Sequence, residues 1–192
     1  MMHYAGWLMF FKHEAKALNV YASVSRATDR YSAYQRADAL FAMANQYAAG
    51  NESARAIAIF DDLTKDFPQV PEYAYNLAFM QEASDLDVAA EENFKRVIAL
   101  SPKHDRAWYG LGLVHAKHHR YAQAIAAFTE NTRIQAMSPY GWYQLAMTQQ
   151  KAGNAAEAQR IQKHLLGFDP KYARGLQEML DKANIEQSTQ NS

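Results

Sequence analysis

The sequence contains no cysteine in its 192 residues. This absence excludes disulfides, thiol nucleophiles and thiolate metal sites, although it does not fix the compartment. An excess of one charge is also missing, because 20 Lys and Arg residues balance 20 Asp and Glu residues. Nucleic-acid binders usually carry a basic excess that pairs with phosphates, and anionic lipid attracts the same excess. The charge balance therefore predicts a protein partner and no nucleic acid.

Long apolar runs are missing as well. The apolar stretch from Tyr4 to Phe11 is much shorter than the roughly 20 residues that a bilayer requires, so we expect no membrane span. No Lys or Arg precedes this stretch and no small-residue cleavage site follows it, so it matches a signal peptide poorly. We expect a cytoplasmic protein, and a periplasmic or membrane-complex-associated protein stays open.

A repeat of 34 residues organises the chain, with blocks that begin at Ala37, Pro71, Asp105 and Pro139. The eighth residue of each block is small, and the twentieth is always alanine. The fourth, seventh and twenty-fourth residues are mostly bulky and apolar, and proline is frequent at the thirty-second. The eighth residues are Ala44, Ala78, Gly112 and Ala146, and the twentieth are Ala56, Ala90, Ala124 and Ala158. The twenty-fourth are Phe60, Phe94, Phe128 and Gln162, and the thirty-second are Pro68, Pro102, Ala136 and Pro170.

Each block is predicted to form two antiparallel helices. Helices approach closely only where side chains are small, and the bulky residues fill the space between them. Proline near the block end stops the second helix. Turn signals in the middle of three blocks separate the two helices, at Gly50-Asn51, Ser84-Asp85 and Gly153-Asn154.

These columns resemble the tetratricopeptide-repeat (TPR) family and its W-L-G-Y-A-F-P pattern, most closely over Asp105–Ser138. The resemblance implies an all-α, right-handed α-solenoid with four repeats over residues 37–170, in periods 37–70, 71–104, 105–138 and 139–172. Residues 171–182 follow helical spacing and are predicted to cap the solenoid, before a polar tail over 183–192.

The resemblance also implies where a partner binds. In the TPR fold the first helix of each block lines a concave groove, to which the second, fifth and ninth residues contribute. Aromatic and apolar side chains dominate these places, which suits an extended peptide or an amphipathic helix. The predicted partner-binding residues are Phe41, Asn45, Tyr75, Asn76, Phe79, Arg106, Tyr109, Leu113, Tyr143 and Met147. Tyr140 is the second residue of block four and so is also expected to face the groove.

Some TPR proteins grip a C-terminal carboxylate with a clamp of two lysines, two asparagines and one arginine. By position, Asn45 and Asn76 match the asparagines, and Arg106 replaces one lysine. Phe41 and Gly110 stand where the other two cations belong. We therefore do not expect carboxylate-clamp binding.

The N-terminal 36 residues lack the signature columns. We predict a helical pair there, from about Tyr4 to Val20 and from about Ser23 to Gln35, which could be a degenerate repeat. Trp7, Leu8, Phe10 and Phe11 form an apolar cluster that needs burial. The cluster either packs on the first repeat or anchors to a partner, a membrane edge or a second copy of the chain.

Catalytic motifs are missing: there is no Gly-rich phosphate loop, no Ser-His-Asp elbow and no zinc-protease helix. His115 and His119 are one helical turn apart, a spacing that metals use. His119 falls in a predicted turn, however, and no Asp, Glu or Cys completes the set locally. We predict no enzyme, no metal and no cofactor.

The predicted function is an adaptor, scaffold or assembly factor that binds a peptide or helix of another protein, either alone or within a larger complex. The alternative is a structural or oligomerisation subunit that uses the N-terminal apolar cluster or the convex face, so self-association stays open.

Overall fold

The computed structural model describes residues 14–28 and 31–190, which leaves Trp7, Leu8, Phe10 and Phe11 outside the described residues. Over this part of the chain it contains helices and no strand. The helices are α1 (Glu14–Arg26), α2 (Ala33–Ala49), α3 (Ser53–Asp66), α4 (Pro71–Glu82), α5 (Asp87–Leu100), α6 (Asp105–Lys117), α7 (Tyr121–Ile134), α8 (Pro139–Lys151), α9 (Ala155–Leu166) and α10 (Pro170–Gln190). The predicted all-α fold of antiparallel helix pairs is confirmed.

The chain divides into two compact units. Unit 1 extends to Leu100 and includes α1–α5, and unit 2 begins at Ser101 and includes α6–α10. Within each unit every helix packs against the next one along the chain, and α10 also contacts α8.

The helices begin where the sequence offers a start signal. Pro71 and Pro139 occupy the first helical positions of α4 and α8, where no backbone N–H is needed. Ser32 caps α2 in a reciprocal pair: its Oγ accepts from the Gln35 N–H at 3.3 Å, and the Gln35 Oε1 accepts from the Ser32 N–H at 2.9 Å.

The turn inside each block has the same geometry in all four blocks. The fifteenth residue has a positive φ, at Asn51 (60°), Asp85 (59°), His119 (57°) and Gly153 (85°). The N–H of the next residue then donates to the carbonyl five residues earlier, at 2.8–2.9 Å. This pattern is a Schellman motif, which ends the first helix and directs the chain into the second.

The repeat columns form the core of each unit. The alanines at the eighth and twentieth places are fully buried, as are Phe60, Phe94 and Phe128. A Cβ at Gly112 would lie 2.6 Å from Phe128 Cε1, so the small residue there makes room for that ring. Trp108 and Trp142, the fourth residues of blocks three and four, each bond to the backbone just before their own block. Trp108 Nε1 donates to Pro102 O at 2.9 Å, and Trp142 Nε1 donates to Ala136 O at 2.7 Å.

Block four replaces the core phenylalanine with Gln162. The Gln162 amide is buried and donates to Ala173 O at 3.1 Å, which ties α9 to α10. Leu165 is fully buried and supplies apolar packing, whereas Leu166 is 48% exposed.

Both ends differ from the sequence-based expectation. A break near Val20 was expected, but α1 runs without interruption to Arg26, and the next helix begins at Ala33. Val24 is fully buried beside Tyr21, and this packing holds the segment in one helix. At the C-terminus α10 continues to Gln190, beyond the predicted end at residue 182. Gln150 Nε2 donates to Asn184 Oδ1 at 2.7 Å, which fixes part of the predicted tail against α8.

Candidate functional site

In unit 1 the predicted binding residues follow one side of α2 and α4. Tyr75 and Phe79 are one helical turn apart on α4, and their rings stack at 6.4 Å with an interplanar angle of 23°. Phe79 is 51% exposed, whereas Tyr75 is half-buried and also contacts the buried Phe94. Phe79 therefore presents about half of its side chain to solvent, beside the half-buried Tyr75.

The other predicted residues of unit 1 have local contacts. Phe41 is half-buried between Phe60 and Tyr73, with ring centroids 5.7 and 5.4 Å away, and so belongs to the core as well as to the surface. The Asn45 amide donates to Phe41 O at 2.8 Å, and the Asn76 amide donates to Glu72 O at 2.7 Å. These bonds within α2 and α4 orient both asparagines along their own helices.

In unit 2 the aromatic residues surround two clefts. The first has a volume of about 310 Å³ and is lined by Asp105, Arg106, Tyr109, Asn131, Ser138, Tyr140 and Gly141. The second has a volume of about 320 Å³ and is lined by Tyr143, Lys171, Tyr172 and Gly175. Each cleft thus combines tyrosine with one cationic side chain.

A pair of tyrosines joins the two clefts. The rings of Tyr140 and Tyr172 meet edge to face at 5.4 Å, and Tyr143 is 6.5 Å from the same Tyr172 ring. A hydrogen bond to Tyr140 is the main cause that raises the pKa of Tyr172, and burial of the Tyr172 hydroxyl is the second. Tyr140 is 57% exposed, so one side of its ring is held while the other faces solvent.

A close approach of α7 and α8 shapes the first cleft. Asn131 is buried, and its Nδ2 donates to Asp105 O at 2.9 Å, which ties α7 to the start of α6. Gly141 faces the same Asn131, and any Cβ at that position would overlap Asn131 Oδ1. The glycine therefore lets α8 lie close to α7, beside Arg106.

The remaining predicted residues of unit 2 are half-buried. Tyr109, Leu113, Tyr143 and Met147 pack on the core cluster of this unit, and the Tyr109 ring meets Phe128 at 5.8 Å. Arg106 is exposed. Sequence reasoning missed Lys171 and Tyr172 as surface residues because it assigned α10 to a cap. The available signal was Pro170, which begins α10 as Pro71 and Pro139 begin α4 and α8.

The histidines near the end of α6 are not arranged around a common point. His115 is buried within α6, while His119 lies in the turn and its Nδ1 is 2.8 Å from the Tyr121 hydroxyl. Among the residues that the structure describes, no three His, Asp or Glu side chains are grouped to hold a metal ion. Within the same residues, no helix is both long and apolar enough to cross a membrane.

Two family models for the tetratricopeptide repeat match the sequence, over residues 38–69 and 81–134. The matches fall in both units, within blocks one to three. The chain belongs to the tetratricopeptide-repeat family. TPR proteins in general are protein-binding modules, so this chain is an interaction module of that broad class.

Solved structures agree with this fold. The TPR chain resembles MamA with a TM-score of 0.79 and 21% identity, over 90% of this chain and 92% of that one. It resembles YrrB, a TPR protein with an unusual peptide-binding site, with a TM-score of 0.76 and 16% identity, over 92% and 90%. A TPR protein from Parabacteroides merdae gives a TM-score of 0.80 at 14% identity, over 98% and 77%. The comparison with curated protein sequences finds no match.

Proposed function

We propose that this TPR protein is a non-catalytic adaptor, scaffold or assembly factor that binds a peptide or helix of a partner protein along its first helices. The observation that carries the proposal is the exposed ring of Tyr140, which lies between the two clefts of unit 2. Large aromatic side chains that remain exposed on a rigid surface are typical anchors of protein interfaces.

The clefts suit a polypeptide better than a small molecule. Each holds only about 310–320 Å³, the lower end of the range for ligand pockets, and the two are joined by the Tyr140–Tyr172 pair. A partner segment could place one side chain in each cleft and contact the tyrosine pair between them. Arg106 and Lys171 would then pair with acidic or carbonyl groups of that segment.

Unit 1 supports the same proposal independently. Phe79 is half exposed although its neighbour Tyr75 is held against the core, so this ring gives unit 1 an apolar contact of its own. YrrB is described as having a peptide-binding site, which makes a peptide the natural first class of partner to test here.

The test begins with affinity capture from the native lysate and mass spectrometry. The captured partner is then purified and titrated against Phe79→Ala and Tyr140→Ala proteins. These two residues are chosen because both are exposed, so their removal leaves the core intact. We expect each substitution to weaken binding about tenfold or more, as interface aromatic anchors do.

Ile185→Ala is the matched control, because Ile185 is 64% exposed on α10 and lies about 20 Å along that helix from Tyr172. Equal affinity of the wild-type, Phe79→Ala and Tyr140→Ala proteins for the partner would refute the proposal. Loss of affinity in the Ile185→Ala protein alone would place the interface elsewhere on unit 2. The cytoplasmic location and the larger complex stay predictions, which cell fractionation and native gel analysis test.

A further inference from the structure

Four residues of unit 1 lie together where α2 and α4 begin. Tyr34 and Asp38 are one helical turn apart in α2, and Glu72 and Tyr73 are in the first turn of α4. Tyr34, Asp38 and Glu72 are exposed, whereas Tyr73 is only 9% exposed. We call these four residues the acidic tyrosine cluster.

The ring of Phe67, directly after α3, connects the two tyrosines. Its centroid lies 5.5 Å from the Tyr34 centroid and 6.0 Å from the Tyr73 centroid. Burial, and then the charges of Asp38 and Glu72, raise the pKa of Tyr73. The Tyr73 hydroxyl therefore faces the same surface as both carboxylates, and the Tyr34 ring, which is 71% exposed, stands beside them.

The polar side-chain groups of the acidic tyrosine cluster have no bonding partner in the part of the chain that the structure describes. Neither carboxylate accepts a hydrogen bond or pairs with a cation, and the Tyr73 hydroxyl makes no hydrogen bond. Polar atoms of side chains as deeply buried as Tyr73 usually have a partner. A hydroxyl without one, beside two carboxylates whose charge is unpaired, indicates a site for a cationic hydrogen-bond donor.

The cations that are nearest in the sequence are bonded elsewhere. Residues 38–72 contain two cations, Arg55 and Lys65, and each pairs with an acid three or four residues earlier, at 2.6 and 2.5 Å. Arg36, in the first turn of α2, donates to Tyr31 O at 3.1 Å. None of these three cations therefore neutralises the acidic tyrosine cluster.

We propose that the acidic tyrosine cluster binds an arginine side chain of the partner protein. The guanidinium would donate N–H bonds to Asp38, Glu72 and the Tyr73 hydroxyl, and its face would stack on the exposed Tyr34 ring. Arginine fits better than lysine, because a planar group with several fixed donors reaches separate acceptors and stacks at the same time. This inference deepens the proposed function and rests on it, since the arginine belongs to the partner segment that contacts the first helices.

A peptide titration of the full chain, followed by NMR spectroscopy, tests the proposal directly. The probe is acetyl-Ala-Ala-Arg-Ala-Ala-amide, with twins in which lysine or uncharged citrulline replaces arginine. Tyrosine rings of the protein are labelled with carbon-13. We expect the arginine peptide to shift the signals of Tyr34 and Tyr73 and to leave those of Tyr47 and Tyr121 nearly unchanged. The lysine twin should bind about threefold to tenfold more weakly, and the citrulline twin about tenfold or more.

Three variants separate the contributions to arginine binding. The double variant D38N/E72Q should bind the arginine peptide at least about fivefold more weakly at low salt and should differ less at high salt. Tyr34→Leu keeps an apolar side chain without an aromatic ring and should bind about threefold more weakly. Tyr73→Phe keeps the buried ring without its hydroxyl and should also bind about threefold more weakly, because one acceptor is lost.

D62N/E92Q is the matched control, because it removes the same two kinds of charge from exposed positions on α3 and α5 instead of α2 and α4. It should bind the arginine peptide like wild type, and circular dichroism checks that each variant keeps its helices. Equal binding of the arginine and citrulline peptides would overturn the inference. An equal loss in D38N/E72Q and D62N/E92Q would also overturn it, because the peptide would then respond to negative charge in general.

Phe79→Ala and Tyr140→Ala proteins should bind the arginine peptide like wild type. An arginine peptide that shifts neither Tyr34 nor Tyr73 would refute the arginine site and leave the proposed function standing. Equal affinity of the wild-type, Phe79→Ala and Tyr140→Ala proteins for the captured partner would instead refute the proposed function, whatever the peptide does.

Discussion

Gly141 provides the sharpest test of the packing that shapes the first cleft of unit 2. An alanine Cβ there would overlap Asn131 Oδ1 and lie 3.1 Å from Thr132 Cγ2, and Asn131 is only 5% exposed. Overpacking of this kind costs about 1–3 kcal/mol. Displacement of the Asn131 amide would also break its bond to Asp105 O, which adds about 1–3 kcal/mol. Alanine regains about 0.5–1 kcal/mol of helix propensity, so we expect Gly141→Ala to lose about 1–5 kcal/mol.

Urea unfolding followed by tryptophan fluorescence measures this loss. In a Trp7→Phe background the remaining tryptophans, Trp108 and Trp142, both lie in unit 2, so the signal reports on that unit. Gly175→Ala is the matched control, because no atom beyond the adjacent residues and the backbone of its own helix lies within 4 Å of its added Cβ. It should stabilise unit 2 by about 0.5–1 kcal/mol. A Gly141→Ala protein as stable as wild type would show that α7 and α8 do not approach each other as described.

The other predictions concern the core, the pH response and ligand class. Phe128→Ala should lower the free energy of unfolding by about 3–5 kcal/mol in the same urea assay, because the ring is fully buried, and a loss below 1 kcal/mol would contradict that burial. Burial, with the charges of Asp38 and Glu72, raises the pKa of Tyr73 above 10.0. The neutral phenol therefore stabilises the fold below pH 10.0, and this contribution disappears as the pH rises through the raised value. The melting temperature should fall less steeply in alkaline solution for Tyr73→Phe, and identical slopes would contradict the assignment. Finally, an acidic peptide with a free C-terminal carboxylate and its amidated twin should bind equally by calorimetry, whereas a clear preference for the free carboxylate would indicate a clamp.

The period made most of the fold predictable from the sequence. Small residues at two columns and phenylalanine at a third are local signals, and each recurs in register, so the helix pairs and their contacts follow from them. The turn in block three had no Gly or Asn signal, yet His119 adopts the positive φ that its place in the period requires. The repeat context therefore outweighed the preference of this single residue.

Prediction was weakest where burial depends on neighbours from other helices. The period predicts that both Phe41 and Phe79 line the groove on the first helices. In the structure Phe41 packs between two rings, whereas Phe79 stays half exposed. The sequence also gave no reason to end the C-terminal helix near residue 182 other than its polarity. The bond between Gln150 and Asn184 involves residues that are distant in sequence, so no local pattern could reveal it. The roles of the predicted binding residues stay predictions until a partner is measured.

The most direct test of the central proposal is photo-crosslinking in the native cell. A photoreactive benzoylphenylalanine replaces Phe79, Tyr140 or Ile185, one position at a time, and the covalent adducts are identified by mass spectrometry. We predict adducts with a partner protein at Phe79 and Tyr140 and none at Ile185. Adducts at Ile185 without any at Phe79 or Tyr140 would contradict the proposal that the aromatic side of the first helices binds the partner.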